Sequence, residues 1–229
     1  WYRSRGLGDV YKRQDLEVEK FIYGITRQIW ESKQINSIYD YYNEDVIVRS
    51  PRNITYKCKD VIDSTKDTLS QFPDRQLIGE DVIWSGDCKN GILSSHRILS
   101  TATHKGNGFY GKSSEKSIMY RVIADCFIID NKVVEEWIVR DESAILNQLG
   151  LTTKTFVKKK IKEKIFNKSS LDSISNAFVC KNIIKNNSNE FTETYISYFK
   201  KLIDKNFNLI KNKYERSAQT FWPGGKINY

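Results

Sequence analysis

The carboxylates on the last predicted strand are candidates for acid/base catalysis. Strand alternation puts every second residue on one face, and near the end of this strand that face holds Val133, Glu135, Trp137, Val139 and Asp141. If the face is buried, loss of solvent beside Trp137 raises the pKa of Asp141 toward neutrality, which suits a general acid or base acting beside a carbonyl. Asp141 could instead be the N-cap of a helix that begins at Glu142, and the sequence leaves both interpretations open.

The chain has only two histidines, His96 and His104, and they share one face of an earlier predicted strand. Eight residues at about 3.3 Å each separate them by roughly 26 Å, so they cannot both lie deep in one pocket. His104 adjoins the Gly106-Asn107-Gly108 turn and is a candidate catalytic residue at the rim of a cavity. We interpret His96 as a structural or exposed histidine.

Further side chains are candidates for contact with a ligand. Glu135 and Trp137 accompany Asp141 on its predicted face. Tyr120 could donate a hydrogen bond to a ligand oxygen. Arg97 could bind a carboxylate, although an arginine in this setting more commonly closes a salt bridge. Trp84 is expected in the core or in a cavity wall.

Helices come first and strands second in the pattern that must position these residues. Apolar spacing predicts a helix of about four turns from Asp15, a short helix over 38–42, and a third over 59–71. Strands are predicted over 76–84, 92–104, 117–129 and 132–139, followed by a helix over 142–149.

Local signals set the turns between these elements. Asn43-Glu44-Asp45 is predicted to be a turn, Gly79 a bulge, and Asp130-Asn131 a tight hairpin. The sequence therefore predicts an α+β fold, in which a strongly curved antiparallel sheet packs against three N-terminal helices as a half-open cone with a cavity.

Several motifs resemble those of SnoaL-like polyketide and ester cyclases, which belong to the nuclear transport factor 2-like, or ketosteroid isomerase-like, superfamily. The motifs lie in order over residues 16–151: Thr103-His104-Lys105-Gly106, Ile123-Ala124-Asp125, Val133-Val134-Glu135-Glu136-Trp137 with Asp141, and Asn147-Gln148-Leu149-Gly150. The resemblance implies that Asp141 is the acid/base group and that His104 matches the Thr-His-x-Gly motif. The family's partner histidine is absent, because this chain has Cys126-Phe127-Ile128 near that position and no histidine after 104.

This resemblance implies a cofactor-independent enzyme that moves a proton on a small hydrophobic carbonyl compound, as a cyclase, isomerase or dehydratase. The alternative is a non-catalytic module of the same fold that binds a small ligand or mediates dimerisation, and the missing histidine favours it. The resemblance also implies a homodimer with sheets packed face to face, or a pseudo-dimer of tandem domains.

Composition excludes several other classes of protein. The net charge of +9 comes from residues 151–229, which carry +10, whereas residues 1–150 carry −1. A lysine-rich segment with a single arginine does not favour nucleic-acid binding. No apolar stretch approaches the roughly 20 residues that span a bilayer. The four cysteines form no Cys-x-x-Cys pair, so we expect neither a metal site nor a disulfide scaffold, and a reducing, cytoplasmic location.

The chain divides into four predicted segments. Residues 1–14 lack hydrophobic periodicity and are expected to be a non-native or disordered lead; residues 15–151 form the cone domain; and residues 152–190 form a basic polar linker. Residues 191–229 are predicted to begin a second, truncated copy of the domain, because residues 214–229 repeat the pattern of residues 39–56. Coincidence in a low-diversity sequence is the alternative.

Overall fold

A computed structural model describes residues 17–163, 189–209, 213–214, 220–222, 224 and 226–228. Contacts divide these into two units, each described by itself: residues up to 141 with 148–151, and residues 142–147 with those from 152 onward. The predictions for residues 1–14 and for the part of the linker beyond 163 lie outside the described residues.

Three helices precede most of the sheet in the first unit, as predicted. Helix α1 (Val18–Ile25) continues into a π-helical turn (Thr26–Glu31), and Val18, Ile22, Ile25 and Ile29 form its buried face. A 3-10 turn (Ile35–Ser37) leads into the short helix α2 (Ile38–Tyr41), and helix α3 spans Cys58–Gln71. Helix α3 ends where Phe72-Pro73 prevents its continuation.

The strands are β1 (Tyr42–Arg49), β2 (Ile54–Thr55), β3 (Gln76–Asp87), β4 (Gly91–Thr103), β5 (Ser117–Ile129) and β6 (Lys132–Arg140). They form one curved six-stranded sheet in the order β2-β1-β6-β5-β4-β3. Neighbouring strands are antiparallel except β1 and β6, which run parallel. The sheet and its helices confirm the predicted α+β class.

The turn chemistry was predicted correctly at two of three positions. Asp130 and Asn131 have φ angles of 48° and 59°, as the tight hairpin between β5 and β6 requires. The register of β3 against β4 shifts between Gly79 and Asp81, which confirms the bulge. The turn predicted over residues 43–45 is wrong, because these residues belong to β1, where its register against β6 shifts.

One face of the sheet packs against the helices, and we call it the inner face. Its residues Val82, Ile92, Cys126, Ile128 and Val133 share a buried core with Val18, Ile22, Ile29, Ile38 and Ile62 of the helices. The registers assign to the inner face Ile92, Ser94, His96, Ile98, Ser100 and Ala102 of β4, Ile118, Tyr120, Val122, Ala124, Cys126 and Ile128 of β5, and Val133, Glu136, Ile138 and Arg140 of β6.

A bulge in β6 corrects the predicted alternation on that strand. Phe127 pairs with Glu135 but Ile128 pairs with Val133, so Val134 is an extra residue. Val133 therefore lies on the inner face whereas Glu135 lies on the opposite, outer face. The prediction that both share one face is wrong, because a one-residue insertion reverses every side chain that follows.

The described residues from Glu142 onward are mainly helical and include a hairpin. Helix α4 spans Glu142–Leu149, α5 spans Thr153–Lys162 and α6 spans Glu190–Ile203, and a 3-10 turn covers Phe207–Leu209. Strands β7 (Thr220–Trp222) and β8 (Lys226–Asn228) pair antiparallel. The predicted linker thus contains a helix.

The tandem repeat stays a prediction. Among the described residues, no helix is both long and apolar enough to cross a membrane.

Candidate functional site

Glu136 is a buried carboxyl group on the inner face of the sheet, with only 7% of its surface exposed. The Tyr42 hydroxyl donates to its Oε2 at 3.1 Å, and the Cys126 thiol lies 3.9 Å from its Oε1. Burial raises the pKa of Glu136 to about 7, against the opposing effects of the Tyr42 hydrogen bond and the Arg140 charge. A group with this pKa can both accept and return a proton near neutral pH.

The sheet register explains how Glu136 reaches this position. Glu136 pairs with Cys126 on β5 and with Val48 on β1, and all three lie on the inner face. The sequence prediction missed it because the Val134 bulge was not anticipated. The signal available in the sequence was the Glu135-Glu136 pair itself, since one of two consecutive strand residues must face the core.

His96 lies on the inner face as a buried histidine, 2% exposed. Its ring meets that of Tyr23 edge to face at 5.4 Å between centroids. Burial lowers the pKa of His96 to about 4, so the imidazole is neutral at physiological pH. Its Nε2 has no hydrogen-bond partner within the described residues. The structure therefore excludes the exposed alternative for His96.

His104, the predicted histidine of the site, is enclosed by aromatic side chains and is 1% exposed. Its centroid lies 5.3 Å from that of Phe72 and 6.3 Å from that of Tyr110, and Nδ1 lies 3.1 Å from the Ser114 hydroxyl. Burial lowers the pKa of His104, against the charge of Glu115.

Arg75 and Tyr120 lie together on the inner side of the sheet. Tyr120 is 7% exposed, and its register partner on β4 is Ser100. The Arg75 Nε donates to the Ser100 hydroxyl at 3.2 Å, and its Cζ lies 4.4 Å from the Trp30 ring centroid and 6.0 Å from that of Tyr120. The structure thus brings the predicted Tyr120 next to an arginine that the sequence analysis did not single out.

Other predicted residues lie on the outer face. Glu135 forms a buried ion pair with Arg49 at 3.0 Å, and the Arg49 Cζ lies 5.1 Å from the Trp137 ring centroid. Arg97 forms a salt bridge with Glu80 at 3.2 Å, the commoner of the two outcomes considered for it. The inner and outer faces therefore separate Tyr120 from Glu135, Trp137 and Arg97.

Asp141 and Trp84 complete the predicted set. Asp141 is half-buried, its backbone N–H donates to the Arg121 carbonyl at 3.1 Å, and helix α4 begins at the next residue. Its role as acid/base stays a prediction. Trp84 is 51% exposed on the edge strand β3, so it is not a core residue, and its contact with a ligand stays a prediction.

A surface cavity of about 340 Å³ lies at one end of the sheet. Its lining consists of Asp74, Thr101, Ala102, Thr103, Ser117, Ile118, Met119 and Gln148. None of the predicted site residues is in this lining. Within the described part of the chain, no three His, Cys, Asp or Glu side chains converge as metal ligands would.

The profile of the SnoaL-like polyketide cyclase family matches residues 20–149, which is more than half of the chain. The chain therefore belongs to this family, as its motifs predicted. A search of curated proteins gave no match.

Solved structures with the same fold include the following three. IdmH from Streptomyces antibioticus, a candidate polyketide cyclase, is 17% identical with a TM-score of 0.51, and the match covers 59% of this chain and 99% of IdmH. A candidate SnoaL-like polyketide cyclase from Jannaschia sp. CCS1 is 11% identical with a TM-score of 0.54, covering 63% and 99%. TsrD from Streptomyces laurentii is 15% identical with a TM-score of 0.51, covering 59% and 96%. At these identities the likeness shows the fold alone.

Proposed function

We propose that this protein is a cofactor-independent proton-transfer enzyme, a cyclase, isomerase or dehydratase, that acts on a small hydrophobic carbonyl compound. The observation that carries the proposal is Glu136, a buried inner-face carboxyl group whose pKa is raised to about 7. Membership of a family of polyketide cyclases supports the same reaction class.

The chemistry follows from the environment of Glu136. In its ionised form the carboxylate takes a proton from the carbon next to the carbonyl, and the C–H electron pair moves onto the carbonyl oxygen to give an enolate. The neutral acid then returns the proton to a carbon, or to a departing hydroxyl in a dehydration. The Tyr42 hydrogen bond stabilises the ionised form and burial the neutral form, so neither dominates near neutral pH.

Asp141 is the second candidate for the acid/base role, as the family resemblance implies. A non-catalytic binding module remains the second candidate function, and Cys126 is the observation that favours it. Burial raises the pKa of the Cys126 thiol well above its usual range, so Cys126 does not replace the family's histidine as a base.

The test is deuterium incorporation at the carbon next to the carbonyl in methyl 3-oxooctanoate and 2,4-octanedione, followed by NMR in D₂O. We expect exchange above the buffer rate with the wild-type protein and a loss of about 100-fold or more in Glu136→Gln. Glu80→Gln is the matched control, because it makes the same change on the outer face. Loss in Asp141→Asn with full activity in Glu136→Gln would assign the acid/base role to Asp141. No exchange by wild type with either compound would favour the binding module.

We also propose that the protein forms a homodimer through the outer face of the sheet. Met119, Ile123 and Val139 expose 58%, 36% and 66% of their surface there. Exposed apolar groups on one sheet face favour burial against a second copy. Analytical ultracentrifugation should show a dimer that Met119→Lys with Val139→Lys converts to a monomer. A wild-type monomer at every concentration would contradict this, as would a dimer unaffected by the substitutions.

A further inference from the structure

Arg75 is a buried cation without a carboxylate partner in the described part of the chain. It lies between helix α3 and strand β3, and only 5% of its surface is exposed. Buried arginines are normally neutralised by a carboxylate, because an unpaired charge in a low-dielectric environment is costly. Arg49, the other arginine that is buried among the described residues, has such a partner in Glu135.

The contacts of Arg75 leave one edge of its guanidinium available. The Nε is committed to the Ser100 hydroxyl, and the Trp30 ring lies against the group at 4.4 Å. A terminal nitrogen that was enclosed and lacked a hydrogen bond would be an unsatisfied buried donor, and neither terminal nitrogen of Arg75 is one. Both therefore keep contact with solvent. These terminal nitrogens form a planar pair of donors that matches the two oxygens of a carboxylate.

The groups around Arg75 act on its charge in both directions. Burial lowers the pKa of Arg75; Tyr120 and Tyr110 raise it, whereas the charges of Arg140 and Arg52 lower it. The Lys33 ammonium donates to the backbone carbonyls of Arg75 and Trp30. The carboxylate of the neighbouring Asp74 has other partners: it accepts a hydrogen bond from the Thr103 N–H at 2.8 Å and lies 3.6 Å from the Lys105 ammonium.

We propose that Arg75 binds the carboxylate group of a small ligand with an apolar body. This anion site does not rest on the proposed function and can be measured by binding alone. Trp30 and Tyr120 beside the guanidinium provide an aromatic surface for the ligand's apolar body. We favour a carboxylate over phosphate because one planar arginine edge pairs with two coplanar oxygens.

The experiment is isothermal titration calorimetry of the full chain with octanoate and benzoate, each compared with its neutral amide, octanamide and benzamide. We expect at least one carboxylate to bind roughly tenfold or more tightly than its amide, because hydrogen bonds to a charged partner are the stronger ones. Arg75→Gln should abolish this difference. Arg97→Gln is the matched control and should retain it, because Arg97 lies on the outer face in a salt bridge with Glu80.

The comparison of carboxylate with amide uses the wild-type protein, so it remains decisive if Arg75→Gln fails to fold. In that case Ser100→Ala, which releases the Nε, is the milder variant and should weaken carboxylate binding. Equal affinity for carboxylate and amide, or no binding of either, would overturn the proposal. Tight binding of inorganic phosphate in place of the carboxylates would overturn the assigned ligand class.

Failure of this inference can be separated from failure of the proposed function. Carboxylate-selective binding without exchange activity on any carbonyl compound would leave the anion site standing and contradict the enzyme. The opposite outcome would be exchange on neutral 2,4-octanedione that is lost in Glu136→Gln and unchanged in Arg75→Gln, together with equal binding of carboxylate and amide. That result would support the enzyme and contradict the anion site.

Discussion

Replacing Glu136 by Gln should change how the stability of the protein depends on pH. The folded protein holds the pKa of Glu136 at about 7, against an ordinary value of 4.5. Between these values the unfolded chain has released the proton and the folded protein still binds it. Stability from this group is therefore complete below about pH 4.5 and is lost as pH rises through 7. The difference of about 2.5 pKa units corresponds to about 3 kcal/mol.

His96 produces an opposite trend in part of the same range. The folded protein lowers its pKa from 6.5 to about 4, so the unfolded chain binds the proton first as pH falls. Stability from His96 is present above about pH 6.5 and is lost as pH falls toward 4. The wild-type curve therefore contains both effects. Subtracting it from that of Glu136→Gln isolates Glu136, because the His96 contribution is common to both proteins.

The assay is urea unfolding of wild type and Glu136→Gln at intervals from pH 4.5 to 8. As pH rises from 4.5 to 8, the unfolding free energy of the variant should increase by about 3 kcal/mol relative to that of wild type, because glutamine cannot ionise. Glu80→Gln is the matched control. The Arg121 hydrogen bonds hold the pKa of Glu80 below its ordinary value, so the effect of Glu80→Gln should change little over this range, and only near its acid end. A difference between wild type and Glu136→Gln that does not change with pH would refute the reasoning.

Two further substitutions test the packing. Gly106→Ala should destabilise the protein by about 2 kcal/mol or more in urea unfolding, because the new Cβ would overlap the Ser70 backbone carbonyl, which no side-chain rotation relieves; a change below about 0.5 kcal/mol would contradict that contact. Arg49→Gln should cost roughly 3 to 5 kcal/mol, because it removes one charge of a buried ion pair, whereas Arg97→Gln at an exposed salt bridge should cost about 1 kcal/mol or less; equal effects would contradict the different burial of the two pairs.

The sequence predicted those features that depend on local chemistry. The apolar spacing of helix α1 and the two residues of the Asp130-Asn131 hairpin each specify their structure within a few positions. The register of β1 against β6 could not be predicted in this way, because it joins residues far apart in the sequence. The parallel pairing of Val48 with Glu136 is an example.

The candidate site was predicted less well than the fold, and one residue explains much of the difference. The insertion of Val134 into β6 leaves no distinctive mark in the sequence, yet it moves Glu136 to the inner face and Glu135 to the outer face. Arg75 was missed for another reason. It lies in a connection rather than in a patterned element, so only the folded contacts with Ser100 and Trp30 show that it is buried.

The most direct test of the account is the titration of Glu136 itself, measured by NMR on protein labelled with ¹³C at the glutamate carboxyl carbons. The Glu136 resonance is assigned by its absence in Glu136→Gln. This resonance should titrate with a midpoint near pH 7, as the buried inner-face position of Glu136 requires. A midpoint near the ordinary value of 4.5 would show an ionised carboxylate at neutral pH and would contradict the proposed acid/base group.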